Sequence, residues 1–338
     1  YLIAFAVGRF EVVDAGTTRA GAPIRIVTSA GRGGEAAWIA ANAAVIVATL
    51  EDWFGTPYPF AKLDLVTIPR TSGFSAMENA GLVTFVETSL LLGPNATVRQ
   101  RYDALSLAGH ELAHQWFGDL VTMAWWDDLW LNEGFATWMA TKVLVALEPA
   151  SEAELGVEWG REGALTADRL VSARRVRQPI SGADDVLTAF DGITYGKGAA
   201  VLRMFDAYVG PARFQAGVRA YLAAHAHGNA TAADFLAAIA AQAPDRDVTA
   251  AMASLLDQAG APRVTATIDC AGGRAAVTLT QARYLPVGAA ATTTAPVWRL
   301  PVCVVAEVGG ARERQCTTLG ADTRASDCAS RMMRARSS

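Results

Sequence analysis

Cysteine is absent from the first 269 residues, and the four that follow, Cys270, Cys303, Cys316 and Cys328, lack the C-x-x-C pairs of a zinc ribbon. An even number gathered in one β-like region favours disulfides, hence a periplasmic or secreted setting. Four reduced thiols in a cytoplasmic protein are the alternative. Lysine is nearly missing: Lys62, Lys142 and Lys197 leave 26 of the 29 basic residues as arginine, a compositional bias more than a function. With a net charge of −4 there is no basic field to attract nucleic acid. No apolar run approaches the ~18 residues that span a bilayer, so no transmembrane segment is expected. The chain also lacks an initiator Met and a basic leader ahead of Tyr1–Val7, and so reads as a fragment without a convincing signal peptide. Gly31-Arg32-Gly33-Gly34 lacks the G-K-[ST] of a phosphate cradle. Disorder is excluded, because 52% hydrophobic and 18% charged residues supply ample surface to bury.

At 338 residues the chain exceeds one typical domain. Residues 1–13 and 22–28 read as strands, and 35–54 as a helix stopped by Gly55. Strands follow at 62–68 and 81–87. A helix is predicted from Asp103 to Phe117, and another from an Asp127 or Asp128 cap to Leu147. The chain then stays mostly helical to about Ala259. Short β runs at 264–268, 275–280, 298–305 and 314–318 predict a small β domain, followed by an Arg-rich tail of little periodicity.

There are four histidines, and two of them carry the chemistry. His110-Glu111-Leu112-Ala113-His114 is an H-E-x-x-H string inside a predicted helix. Positions i and i+4 share a face about one turn apart, so both imidazoles reach one ion. Glu111 is offset around the helix, placed to act as a base without being a ligand. Zinc suits such ligands and keeps an open position for water. Glu133, 19 residues after His114, is a third ligand: a carboxylate among Leu131, Phe135 and Trp138 is costly to bury without a cation. His225 and His227 stand two apart, share no helix face, and read as a cap or surface pair. Trp125, Trp126 and Trp130 read as core and cleft-wall residues. Asn95-Ala96-Thr97 and Asn229-Ala230-Thr231 are glycosylation sequons, meaningful only in a eukaryotic secretory context.

The strings around these residues resemble the gluzincin zinc aminopeptidases, the family of aminopeptidase N and leukotriene hydrolase. The matches are His110 to Gly118, Trp126 to Ala136, Ser75-Ala76-Met77-Glu78-Asn79 against the family's G-x-M-E-N, and Thr194-Tyr195-Gly196-Lys197-Gly198 against its Y-x-K-G. Phe54 to Pro59 and Lys62 to Asp64 also fit, and the likeness covers residues 1 to about 305. Ser75 stands where the family has Gly and Ala80 where Trp is common, departures that bear on side-chain preference.

The resemblance implies an α+β fold: a thermolysin-like, mostly helical metallopeptidase domain over 14–260, followed by a small β-sandwich over 262–320. Residues 1–13 would be the last strand of a truncated N-terminal β domain, and 321–338 a tail or truncated continuation. It implies one Zn²⁺ held by His110, His114 and Glu133. Glu111 would be the general base, and Tyr195 would hydrogen-bond the oxyanion. Glu78 would bind the free α-amino group of a peptide, with Ala76, Met77 and Asn79 along the substrate backbone. Such a chain would hydrolyse the N-terminal peptide bond of peptides. Because most of two flanking family domains is missing from it, the chain is expected to bind zinc but to turn over peptides poorly. Two alternatives use the same fold: an epoxide hydrolase of the leukotriene hydrolase type, and a non-catalytic scaffold.

Overall fold

The computed structural model describes residues 3–149, 153–269, 275–290, 296–308, 311–320 and 324–328. The first part of the chain supplies β1 (Phe10–Thr17), β2 (Pro23–Ser29), α1 (Ala37–Phe54), β3 (Leu63–Ile68), β4 (Ala76–Met77) and β5 (Leu82–Val86). Next come α2 (Glu87–Leu90), α3 (Val98–Ala113), β6 (Val121–Met123), α4 (Leu129–Leu147), α5 (Ala153–Asp168) and α6 (Ala183–Thr188). After a π-helical turn at Ile193–Lys197 follow α7 (Gly198–Val209), α8 (Pro211–His225), β7 (Gly228–Ala230), α9 (Ala232–Ala241) and α10 (Val248–Leu256). The last strands are β8 (Pro262–Asp269), β9 (Ala275–Arg283), β10 (Leu300–Val308), β11 (Ala311–Leu319) and β12 (Arg324–Cys328).

A five-stranded sheet runs in the order β1-β2-β3-β5-β4. β2, β3 and β5 are parallel, while β1 and β4 close the edges antiparallel. β3 is buried on both faces, with Asp64 and Thr67 enclosed among its apolar residues. The strand expected over 1–13 starts only at Phe10 and runs on to Thr17, so the expected junction at residue 13 falls within one strand of this sheet. The stretch Gly33–Phe54 is long and apolar enough to cross a membrane by length and composition alone, against the expectation of no such run. Here it packs on the sheet, with Ile39, Ala43, Ile46, Val47, Leu50 and Phe54 buried, and stops at Gly55, whose φ is +64°.

α3 begins five residues before its predicted start. Thr97 accepts from Gln100 N–H and the Gln100 side chain returns to Thr97 N–H, a T-x-x-Q capping box that apolar periodicity does not register. Asp128 precedes α4 as expected, but its carboxylate accepts from Ala232 N–H instead of capping the helix. Within the stretch expected to be mostly helical, Gly228–Ala230 forms β7, which pairs with β6 in parallel.

β8 to β12 form a three-stranded sheet, β12-β9-β8, and a two-stranded one, β10-β11. Val277, Leu279, Trp298, Leu300 and Leu319 are buried among them, continuous with the main core. The tail was expected to lack periodic structure, yet Arg324–Cys328 pairs with β9. Cys303 and Cys316 face each other across β10 and β11 and form a disulfide. Cys270 lies outside the described residues. The buried Lys197 ammonium donates to Asp168 and to the Gly260 carbonyl, and Asp168 accepts from Gly260 N–H. That ion pair joins the π-helical turn to the start of the β strands.

Candidate active site

α3 and α4 pack side by side and present their polar residues to a cleft of about 1500 Å³. Small residues next to the functional ones allow close approach, Gly109 between α3 and α4 and Gly134 between α4 and α7. A Cβ on Gly109 would meet Val143 Cβ at 3.2 Å, and one on Gly134 would meet the Gly198 backbone at 3.0 Å. Beneath the cleft Phe117 and Phe135 stack with centroids 3.6 Å apart, clamping the end of α3 to α4.

Among the described residues, His110, His114 and Glu133 form the one group able to hold a metal ion. The two Nε2 atoms lie 3.1 Å apart, and Glu133 Oε2 lies 3.3 Å from His110 Nε2 and 3.4 Å from His114 Nε2. Ligand atoms at tetrahedral corners about 2.0–2.1 Å from a zinc ion would be separated by about 3.3–3.4 Å, so the donor set fits that ion. The far ring nitrogens fix the tautomers. His114 Nδ1 donates to the Phe117 carbonyl at 3.0 Å, and His110 Nδ1 faces Thr137 Oγ1 at 3.5 Å, which leaves both Nε2 lone pairs turned inward. Thr137 in turn donates to the Glu133 carbonyl at 2.7 Å.

Buried charge gives the same answer. Burial pushes the His110 imidazole toward its neutral form against the pull of Glu133. Burial also works against protonation of His114, but Glu78, Glu133 and Glu111 together outweigh it and raise that group well above its ordinary value. Desolvation opposes ionisation of Glu133, yet His114 and His110 hold it well below the usual carboxylate range. Glu111 is pushed up to about 8, by burial first, with Glu78 and Glu133 adding to the effect against His114. Glu111 and Glu133 are buried against the two imidazoles, with Glu78 half-buried beside them, a surrounding that suits a bound cation.

A sequence model described as the peptidase family M1 domain matches residues 38–255. The chain belongs to peptidase family M1. Over 244 residues this M1 chain is 39% identical to Probable aminopeptidase 2 of Sulfurisphaera tokodaii, an alignment covering 70% of this chain and 30% of that protein. It is 37% identical to Aminopeptidase M1-B of Oryza sativa subsp. japonica (80% of this chain, 30% of that protein) and 38% identical to Aminopeptidase 2 of Candida albicans (85% and 31%). The matched region spans about a third of the length of these curated relatives.

Of the other expected residues of the M1 chain, Ala76, Met77, Glu78 and Tyr195 all line the same cleft. Ala76 and Met77 are β4, the sheet's edge strand, paired on one side with Phe85 and Thr84 of β5. Tyr195 stands in the π-helical turn, its ring stacked over His110 at 6.0 Å. Burial, then the Glu133 carboxylate, keep its phenol protonated far above neutrality. Asn79, expected along the substrate, is not among the cleft-lining residues: its carbonyl accepts Leu82 N–H at 2.9 Å and closes the turn into β5. Trp125 and Trp126 line the cleft, whereas Trp130 is buried. His225 and His227 do not reach the cleft. Thr137 and Gly109 lie outside the roles assigned from the sequence, and Gly134 enters only as part of the Trp126 to Ala136 match. Their position beside the metal-binding residues is the signal that could have found them.

Proposed function

We propose that this chain carries a zinc-dependent aminopeptidase centre, hydrolysing the N-terminal peptide bond of peptides that have a free amino group. The observation that carries the reading is the convergence of His110 Nε2, His114 Nε2 and Glu133 Oε2 within 3.1–3.4 Å at the floor of one cleft. We further propose that sheet, α3 and α4 make a thermolysin-like catalytic domain extending to about residue 260, with β8 to β12 as the small β domain. The names of the M1 relatives support the reaction class.

His110, His114 and Glu133 would hold one zinc ion, which when bound polarises the scissile carbonyl and makes a water more acidic. Glu111 takes a proton from the attacking water on its carboxylate and delivers one to the leaving amine nitrogen. Tyr195 stays protonated and donates its hydroxyl hydrogen to the oxygen on which negative charge develops. Glu78 accepts from the substrate ammonium and so sets the distance from chain end to scissile bond. The β4 edge aligns the substrate backbone through Ala76 and Met77, and the turn at Asn79 supports Glu78.

Metal content by mass spectrometry tests this, paired with hydrolysis of alanyl- and leucyl-amide reporters. The expected result is one zinc per chain, with any hydrolysis, however slow, lowered about 10²–10⁴-fold in Glu111→Ala while zinc stays bound. A folded chain that takes up no zinc overturns the reading. Zinc with no amide hydrolysis, but turnover of an epoxide, would transfer the same site to the alternative reaction.

A further inference from the structure

We infer that Gln115, which follows His114 directly, is a positioning residue that sets the distance between the metal-binding helix and the Glu78 carboxylate. The inference rests on the reading of Glu78 as the site of the substrate's amino group.

Gln115 is fully buried, and both ends of its amide are committed. Its Nε2 donates to the Glu78 carbonyl at 3.0 Å and to Asp119 Oδ2 at 2.8 Å. Its Oε1 accepts from Gly81 N–H at 3.0 Å and lies 3.2 Å from the Tyr58 hydroxyl, whose one hydrogen it shares with the Lys62 carbonyl at 3.0 Å. Two donors and two lone pairs exhaust what a primary amide can offer. The side chain therefore cannot rotate without leaving buried polar groups unsatisfied, which is costly.

Backbone pairing flanks Glu78 on both sides. On its N-terminal side the chain is pinned by β4, where Met77 pairs with Thr84. On its C-terminal side the Asn79–Leu82 turn is closed by Leu82 N–H on the Asn79 carbonyl, with Gly81 at φ +69°. Gln115 grips the Glu78 carbonyl and the Gly81 amide together. The segment that carries Glu78 is thus tied to the residue after a metal-binding histidine by one side chain, not by the general packing of sheet on helix. A shift of this clamp would move the carboxylate relative to His110 and His114, and misplacements on that scale are felt strongly in catalysis and binding.

The zinc-loaded chain is titrated calorimetrically with leucine hydroxamate and with 4-methylpentanohydroxamate, the same ligand without its amino group. A charge-assisted contact predicts that the wild type favours the amine-bearing ligand by about tenfold or more. In Gln115→Met that preference should collapse to within about twofold, while the deaminated ligand and zinc content hold steady. In the metal-free chain, amide exchange at Gly81 should accelerate in the same variant. Gln115→Glu keeps the volume and an acceptor for Gly81 but loses the donor to Glu78, so it should also lose amine preference. It decides the matter if the Met variant does not fold. An unchanged preference, an unchanged Gly81 exchange rate, or equal weakening of both ligands overturns the proposal. A wild type that binds the two ligands alike, with Gly81 exchange still dependent on Gln115, removes Glu78's role while leaving the clamp itself in place.

Discussion

Asp64 lies on the buried strand β3, where its carboxylate accepts from Arg25 at 2.6 Å and Lys62 at 2.7 Å. Burial alone would raise its pKa, but those hydrogen bonds and charges prevail and hold it below its ordinary 3.8. A carboxylate depressed on folding stabilises the protein above its unfolded pKa, and that contribution fades as the pH falls through the folded value. Asp64→Asn should therefore cost about 1–3 kcal/mol near pH 6, toward the lower end because both cations are part exposed. The gap from wild type in urea melts should narrow below about pH 3.9 and close in stronger acid. A gap that stays constant down to pH 2 would mean that the ion pairs contribute nothing. The same opposition of burial and partner charge operates at His114 and Glu133, where the partners are one another.

At the scale of elements, the site is made by how closely two helices approach. Gly134 sits beside Glu133 and lets α4 touch the backbone at the start of α7, three residues after Tyr195. Gly134→Ala would place a carbon 3.0 Å from the Gly198 backbone, which cannot yield as a flexible side chain can. The expected loss is about 1–3 kcal/mol in thermal unfolding, with weakened zinc uptake as Glu133 is displaced. Gly163→Ala, in α5, meets nothing within 4 Å and should instead stabilise by about 0.5–1 kcal/mol through helix propensity. If both substitutions shift the melting point equally, the close approach is not what Gly134 provides. Periodicity located α1, α4 and the buried strands well, because each carries an apolar face or run. It missed β4, β7 and the first turn of α3, whose ordering comes from an edge pairing, a parallel partner distant in the chain, and a capping box.

For the whole molecule, the β strands that follow residue 260 share a core with the helices that line the cleft, but among the described residues they contribute none to its lining. The Cys303–Cys316 disulfide joins two of those strands. Replacing both cysteines with serine should lower stability by about 2–4 kcal/mol, read by calorimetry with and without reductant. Zinc content should not change. Loss of zinc in the serine variant would show that the β strands support the cleft more directly than their packing indicates. Besides the shared core, the two regions are joined by Lys197, Asp168 and Gly260, one buried ion pair below the turn that carries Tyr195, and by Arg299 on Asp247.

The sequence alone determined that His110 and His114 share a helix face and that Glu133 is a carboxylate able to join them around one ion, because helical spacing and the cost of burying a charge are local properties; the reaction class came with the resemblance to a family. It also marked Glu78 and Tyr195 through motifs a family shares. Tertiary structure alone decided how far apart these groups stand. The 3.3–3.4 Å from Glu133 to the two histidines depends on the approach of α3 and α4, and Glu78 stands just past the edge strand β4, its carbonyl accepting from Gln115. Such distances arise from packing between segments far apart in the chain, where local pattern carries no information about which backbones may touch.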